Sequence, residues 1–320
     1  MVLDWLLDAD PAIRWQVFRD LSDAPAAEVA AERARVAGEG VGARLLGQQD
    51  ADGRWGGAAW NRGWDSTMHV LWLLRELGIE PDAPAVVRAV ERVRQHVTWK
   101  GCGPPECDAN AFFDGEVEPC INGQVAAAGA CFRQDVDAIV ARLVAGQQPD
   151  GGWNCERGST RSSFNTTICV LEALLEYERA APDGALTTDA ARARRLGEEF
   201  LLERRLFRRR STGEVIAVDR KGGADWRQFA FPCWWHYDVL RGLDYLRAAG
   251  RLPDTRAADA IDLVASKRGR DGRWTLDVQH AGRMPVDLGE RTGDASRWIT
   301  LRALRVLRWY EGDADGASAA

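Results

Sequence analysis

A seven-residue phrase recurs along this chain and constrains its architecture more than any other feature. Residues 49–55 read QDADGRW, residues 147–153 read QQPDGGW, and residues 268–274 read RGRDGRW, an eroded third copy. A repeated phrase marks a repeat protein, in which no unit buries its apolar face alone and neighbours must stack. Each copy follows one helical pattern and precedes another. The phrase therefore reads as the joint of a helical hairpin. The spacing between copies leaves room for one degenerate hairpin in each gap, a unit of roughly 50–60 residues, beyond the 20–50 of common solenoids.

The remaining periodicity is helical. Asp10-Pro11 is an N-cap followed by proline at the first helical position, opening a helix over 12–21. A helix over 26–46 is expected next. Amphipathic, charged stretches near 83–97, 134–146, 187–205 and 255–267 alternate with apolar ones starting near 12, 66, 120, 163, 233 and 295. No segment alternates with a period of two between turn signals, so strands are not expected. Six apolar helices need cover on nearly all sides, and the amphipathic ones on one face only. The expected fold is an all-α, single (α/α)6 toroid over residues 1–311, with 312–320 as a disordered C-terminal tail.

Composition removes several classes of function. The net charge is −6, which disfavours a nucleic-acid partner. No stretch approaches the roughly 20 apolar residues of a membrane span. The N-terminus has no basic region followed by an apolar run, so no signal peptide is expected. Seven cysteines at irregular spacing fit a reducing cytoplasm better than a disulfide framework. Arginine-rich, lysine-poor usage with many alanines suggests a GC-rich bacterial genome. There is no G-x-G-x-x-G, P-loop or G-x-S-x-G, hence no support for a nucleotide cofactor or a serine hydrolase. The 14 tryptophans outnumber 9 Phe and 4 Tyr together, a supply suited to hairpin joints or an aromatic pocket.

In a toroid the inner helices start at one end of a central cavity, and their free N–H groups and positive dipole ends gather there. The residues at those starts are Trp64 and Asp65; Glu118 and Cys120; Cys155, Arg161 and Asn165; Trp235, His236 and Asp238; and Arg297. Trp60, Phe113 and Trp298 stand nearby as aromatic candidates for shaping an apolar ligand; core packing is the plainer role for most of them. Arg161 and Arg297 are suited to a diphosphate or carboxylate, although Ser162 or Ser163 capping a helix beside a solvated Arg161 explains that segment equally. Cys102 and Cys107 have spacing within the zinc range, with His96 near, but no second pair follows; a loop with two reduced thiols fits as well.

The recurring phrase resembles the QW motif of squalene–hopene cyclases. The hairpin pattern is similar to the terpenoid cyclase and protein prenyltransferase superfamily, and over essentially the whole chain to bacterial single-toroid squalene-cyclase-like proteins. The resemblance implies the toroid and an isoprenoid or other apolar small molecule in its cavity. In prenyltransferase beta subunits an inner helix opens with Asp-x-Cys and a later inner helix supplies histidine, together holding zinc. Glu118-Pro-Cys120 and the segment around His236 look similar, with Glu in place of Asp. Zn2+ would then have Glu118, Cys120 and His236 as ligands, with Cys155 as a fourth. The metal and the helix start would lower the Cys120 pKa.

Other readings of the same residues stay open. One is a metal-free Cys120/His236 acid–base pair supported by Glu118, Asp238 and Asp65. Another is a buried Cys120 with a hydrogen-bonded core His236. Squalene–hopene cyclases protonate their substrate with an Asp-x-Asp-Asp motif, which is absent here. That absence favours a further alternative, a non-catalytic binding or scaffold toroid. The expected chemistry, where present, is of cyclase, lyase, isomerase or transferase type at the helix starts.

Overall fold

Asp10 accepts the amide of Ala12 at 2.9 Å and Pro11 takes the first helical position, so the second helix begins where the cap signal sets it. The computed structural model describes residues 1–22, 24–180, 183–216 and 225–312. In chain order the helices are α1 (Val2–Leu7), α2 (Pro11–Asp20), α3 (Ala26–Ala34), α4 (Gly40–Gly47), α5 (Thr67–Glu76), α6 (Pro84–His96), α7 (Pro119–Cys131), α8 (Asp137–Ala145), α9 (Phe164–Ala180), α10 (Ala185–Glu203), α11 (Val239–Ala248), α12 (Ala258–Ser266) and α13 (Arg297–Gly312). Strand-like pairing among the described residues is confined to isolated bridges, so the chain is all-α as expected. Among the described residues no helix is long and apolar enough to cross a membrane. The expected tail falls on residues 313–320, outside the described residues, and on Gly312, which closes α13.

The chain divides into two compact units. The first comprises residues 1–32, 199–280 and 289–320; the second comprises 33–198 and 281–288. Each has the helical-hairpin construction expected of an α/α toroid. In the second unit, α5 is buried continuously from Thr67 to Leu74 and α7 from Ile121 to Ala130. Their partners are one-faced. In α6 only Val86, Ala89, Val90 and Val93 are buried, the three-to-four spacing of a single apolar stripe. Gly123 lets α7 lie directly on α9: a Cβ there would come 2.7 Å from the Cys169 carbonyl.

The recurring phrase is the joint, and its three copies share one geometry. The indole Nε1 of Trp55 donates to Leu45 O, that of Trp153 to Leu143 O and that of Trp274 to Val264 O, each at 2.7 Å. Each tryptophan amide donates to a threonine hydroxyl early in the next apolar helix: Thr67, Thr167 and Thr300, at 3.2, 3.0 and 3.0 Å. Glutamine adds a second tie. Gln49 Nε2 donates to Gly53 O and to Ala89 O of α6; Gln147 Nε2 donates to Gly151 O and to Ala193 O of α10. The phrase's glycines, Gly53, Gly151 and Gly272, have φ of 84°, 92° and 80°, which explains why glycine is fixed there. In the third copy Arg268 replaces glutamine and lays its guanidinium 5.5 Å from the Trp274 ring centre.

Two expected boundaries move. The helix over 26–46 is split into α3 and α4 by a 3-10 turn at Arg35–Ala37 and by Gly40, whose φ of 61° cannot continue a helix. The apolar stretch near 233 becomes helical only at Val239. Trp234 has a φ of 53°, and Asp238 caps the helix behind it, so His236 sits in the preceding loop.

The first unit buries charge as well as apolar surface. The Asp244 carboxylate of α11 takes Arg305 Nε of α13 at 2.7 Å and Arg247 Nε at 3.0 Å; Arg305 also reaches Gln16 of α2 at 2.7 Å. Burial alone would raise the Asp244 pKa, but the charges of Arg305, Arg247 and Arg302 hold it well below the carboxylate range.

Candidate functional site

Glu118, Cys120 and Cys155 form a group of metal-capable side chains in the second unit, one ligand atom from each lying within 4.8 Å of the others. Two helix starts bring them together. Glu118 is the N-cap position of α7, Pro119 its first residue and Cys120 its second. Cys155 comes from the turn that leads from the second joint towards α9. Because Gly123 lets α7 and α9 touch, that turn lies against the open end of α7.

Glu118 makes no side-chain cap bond, so the early amides of α7 are left for other partners. The Cys120 amide donates to Cys155 Sγ at 3.3 Å. Thr166, in the first turn of α9, donates its hydroxyl to the same sulfur at 3.3 Å. The Cys120 thiol also donates to Cys155, which holds the Cys155 pKa below that of an ordinary thiol, with Thr166 and the Cys120 amide adding to the effect against burial. The Cys120 pKa is raised well above the ordinary value, first because its proton is held by Cys155 and then by burial. Glu118 Oε2 is a second acceptor for that thiol, at 3.7 Å.

The sequence assigns the activated sulfur to Cys120, on the helix; in the structure it is Cys155 Sγ, off the helix, that accepts the Cys120 amide and the Thr166 hydroxyl. An amide in the first turn points out of the helix end, towards a group arriving from another segment.

The α11 start, in the first unit, is built differently. Asp238 Oδ1 accepts the Arg241 amide at 2.8 Å and Oδ2 accepts the Ala230 amide at 3.2 Å. Burial raises the Asp238 pKa, opposed by those two amides. The His236 ring is stacked between Trp235 and His280, with both centroid separations 3.7 Å. Burial, then the neighbouring His280 and Arg241, lowers the His236 pKa to about 3; burial and Arg241 lower that of His280 to about 4.

The other expected site residues are mostly engaged in holding loops. Asp65 takes Arg283 Nε at 2.5 Å and Asn61 Nδ2 at 3.0 Å. Trp64 meets His69 edge-on at 5.2 Å, and that buried ring shares a 2.8 Å hydrogen bond with Ser66. Burial drives the His69 pKa down to about 3. Phe113 is core, packed on Phe112 and under Gly129. Trp298 stacks on Phe231 at 4.1 Å and is also core. Arg297 donates to Trp5 O at 3.2 Å and covers its ring. Trp60 is half-buried, Asn165 is buried and Arg161 is exposed, with its carbonyl taken by Asn154. Among the described residues no metal-capable group of three includes Cys102, Cys107 or His96.

Sequence reasoning missed Thr166, His280 and Glu290. Thr166 carried a signal, since it adjoins the joint threonine Thr167. Glu290 accepts the Arg297 amide at 2.7 Å and the Ser296 hydroxyl at 2.6 Å, and so does the work of an N-cap for α13 from a distance that a cap rule does not search.

No protein-family model matches the chain, and no curated protein does. Among solved structures it is similar to a protein from Actinoplanes, at 19% identity over 95% of this chain and 90% of that one, with a TM-score of 0.45. It is also similar to the type II terpene cyclase MstE from Scytonema. A complex of a variant with its substrate geranylgeranyl dihydroxybenzoate matches at 19% identity over 95% of this chain and 87% of that one, TM-score 0.44. A ligand-free variant matches at 20% identity over 95% and 86%, TM-score 0.43.

Proposed function

We propose that residues 1–311 form a terpenoid-cyclase-like α/α toroid that takes an isoprenoid or similar apolar small molecule, and that Glu118, Cys120 and Cys155 hold a zinc ion serving that ligand's chemistry. The observation that carries this reading is the meeting of two thiols and a carboxylate at the open start of α7. Their ligand atoms are close enough to converge on one ion at the roughly 2.0–2.3 Å of zinc bonds. The donor set suits zinc: Cys155 is already biased towards thiolate, and Thr166 is placed to orient it. Three protein ligands leave a fourth position open, the arrangement of catalytic rather than structural zinc. A zinc ion there would supply Lewis acidity or an activated thiolate or water.

His236 lies in the first unit, outside the group of three, and is proposed only as an acid–base group there; its low pKa keeps it neutral, the form a base needs. Trp60 and Trp64, in the second unit, are the aromatic side chains proposed to meet the ligand. A cytoplasmic, bacterial setting fits the free thiols and the composition.

Metal content of the purified protein tests the reading. One equivalent of zinc is expected in the natural chain, with loss in Cys120→Ala and Cys155→Ala. No zinc in the natural chain would overturn the metal site. Zinc kept in both cysteine variants would place the ligands elsewhere. A saturable rise in melting temperature with farnesol or geranylgeraniol is expected; its absence would favour the non-catalytic scaffold reading, which the missing Asp-x-Asp-Asp motif also supports.

A further inference from the structure

The first unit contains a pocket of about 590 Å³ at the point where α2, α11 and α13 all end. Five arginines line it, Arg19, Arg247, Arg251, Arg305 and Arg308, with Asp20 as the carboxylate of the lining; Arg19 pairs with Asp20 at 2.6 Å, Arg251 with Glu199 at 2.9 Å, and Arg308 donates to Asp20 O at 3.3 Å. Helix C-termini attract basic side chains, which accounts for some of this charge. It does not account for Arg305, which stands about two turns before the end of α13 and is buried. A buried guanidinium is costly unless paired. Here Asp244 and Asp20 pair with Arg305 and hold it in the pocket wall. Arg247 shares Asp244 with it at 3.0 Å. Burial first, and then the nearby Arg305, lower the Arg247 pKa against the opposing charges of Asp244 and Asp20.

The rim differs from the floor. Arg19 and Arg308 are exposed, and Leu252 is 76% exposed beside the half-buried Trp309, whose Nε1 donates to Arg251 O at 2.9 Å. Guanidinium groups arriving from three helices approach from several directions. That suits a tetrahedral oxyanion with acceptors on every face better than a planar carboxylate. The volume exceeds a phosphate group and lies within the range of small-molecule sites.

We propose that this pocket binds the phosphate or diphosphate group of a small molecule, with Arg305 and Arg247 as its floor, Arg19, Arg251 and Arg308 at its rim, and Leu252 and Trp309 against the organic portion. The site is separate in composition from the cysteine group and stands without it. Isothermal titration of the full chain with inorganic phosphate and with phenyl phosphate, at fixed ionic strength, tests it. Saturable binding of both is expected, with phenyl phosphate tighter than inorganic phosphate because of the apolar rim. Arg19→Gln combined with Arg308→Gln should weaken both about tenfold or more, since each charge-assisted bond contributes on that scale. Arg251→Gln alone gives a second test should the double variant fail to fold by circular dichroism. Absence of saturable binding, unchanged affinity in the variants, or an equal heat signal from sodium chloride would overturn the proposal.

Discussion

The starts of α7 and α11 use similar residues to opposite ends. Each has a carboxylate at the N-cap, Glu118 or Asp238, and a cysteine nearby, Cys120 or Cys233. At α11 the cap closes on itself: Asp238 takes the Arg241 and Ala230 amides, and Arg241 ties the loop back through Trp234 O at 2.8 Å. At α7 the cap position forms no such bond, and the Cys120 amide goes to a sulfur from another segment. A helix start that satisfies its own donors is structural; one that leaves them open recruits a partner, and that partner acquires altered chemistry.

Removing the two caps should break the comparison if it is mistaken. Asp238→Ala strands two buried amides and is expected to cost about 2–3 kcal/mol, measured from urea unfolding midpoints. Glu118→Ala, at an exposed position with no cap bond, is expected to stay within about 0.5 kcal/mol of the natural chain when both are unfolded in the presence of a chelator. Equal losses in the two variants would mean that α7 depends on its cap carboxylate after all.

Acid should destabilise through the stacked rings beside α11 and through buried His69, and not through the start of α7. His236 and His280 have folded pKa values of about 3 and about 4, below the ordinary 6.5. The unfolded chain therefore binds more protons below pH 6.5, and stability falls as pH drops from 6.5 towards 4, being complete above that window. Each ring contributes at most about 2 kcal/mol of this loss by pH 5. His236→Gln should flatten the loss between pH 7 and pH 5 by about half of the pair's share, read from urea unfolding at both pH values, whereas Cys155→Ala should leave it unchanged. An unaltered slope in His236→Gln would show that the stack is not held neutral.

Much of the fold was legible because its determinants are local. The joints announce themselves through residues that bond within the phrase, as Gln147 does to Gly151, or ten residues back, as Trp153 does to Leu143. Alternation of apolar and amphipathic helices is likewise written in a short period. Even the break in the 26–46 helix had a signal in Gly38 and Gly40. The site was legible only as a list. Glu118, Cys120 and Cys155 were named, but which sulfur receives the amide depends on how α9 seats on α7, and no short window contains that. The stack of His280 on His236 depends on a loop returning 44 residues later. No period encodes such a return.

The smallest effect sharpens the comparison most. Thr166 belongs to α9, yet its hydroxyl donates to Cys155 Sγ and accepts the Cys155 amide, both at 3.3 Å. It is the group that joins the open start of α7 to its recruited sulfur. Thr166→Val keeps the shape and removes the hydroxyl. If the sulfur is held for a metal, the variant should bind zinc about tenfold more weakly in a chelator competition, equivalent to about 1.4 kcal/mol. Its unfolding midpoint should barely move, because the volume is preserved and the joint is carried by Thr167. Reduced stability with unchanged zinc affinity would make Thr166 a packing residue, and the open start of α7 would then lack the device that aims its partner.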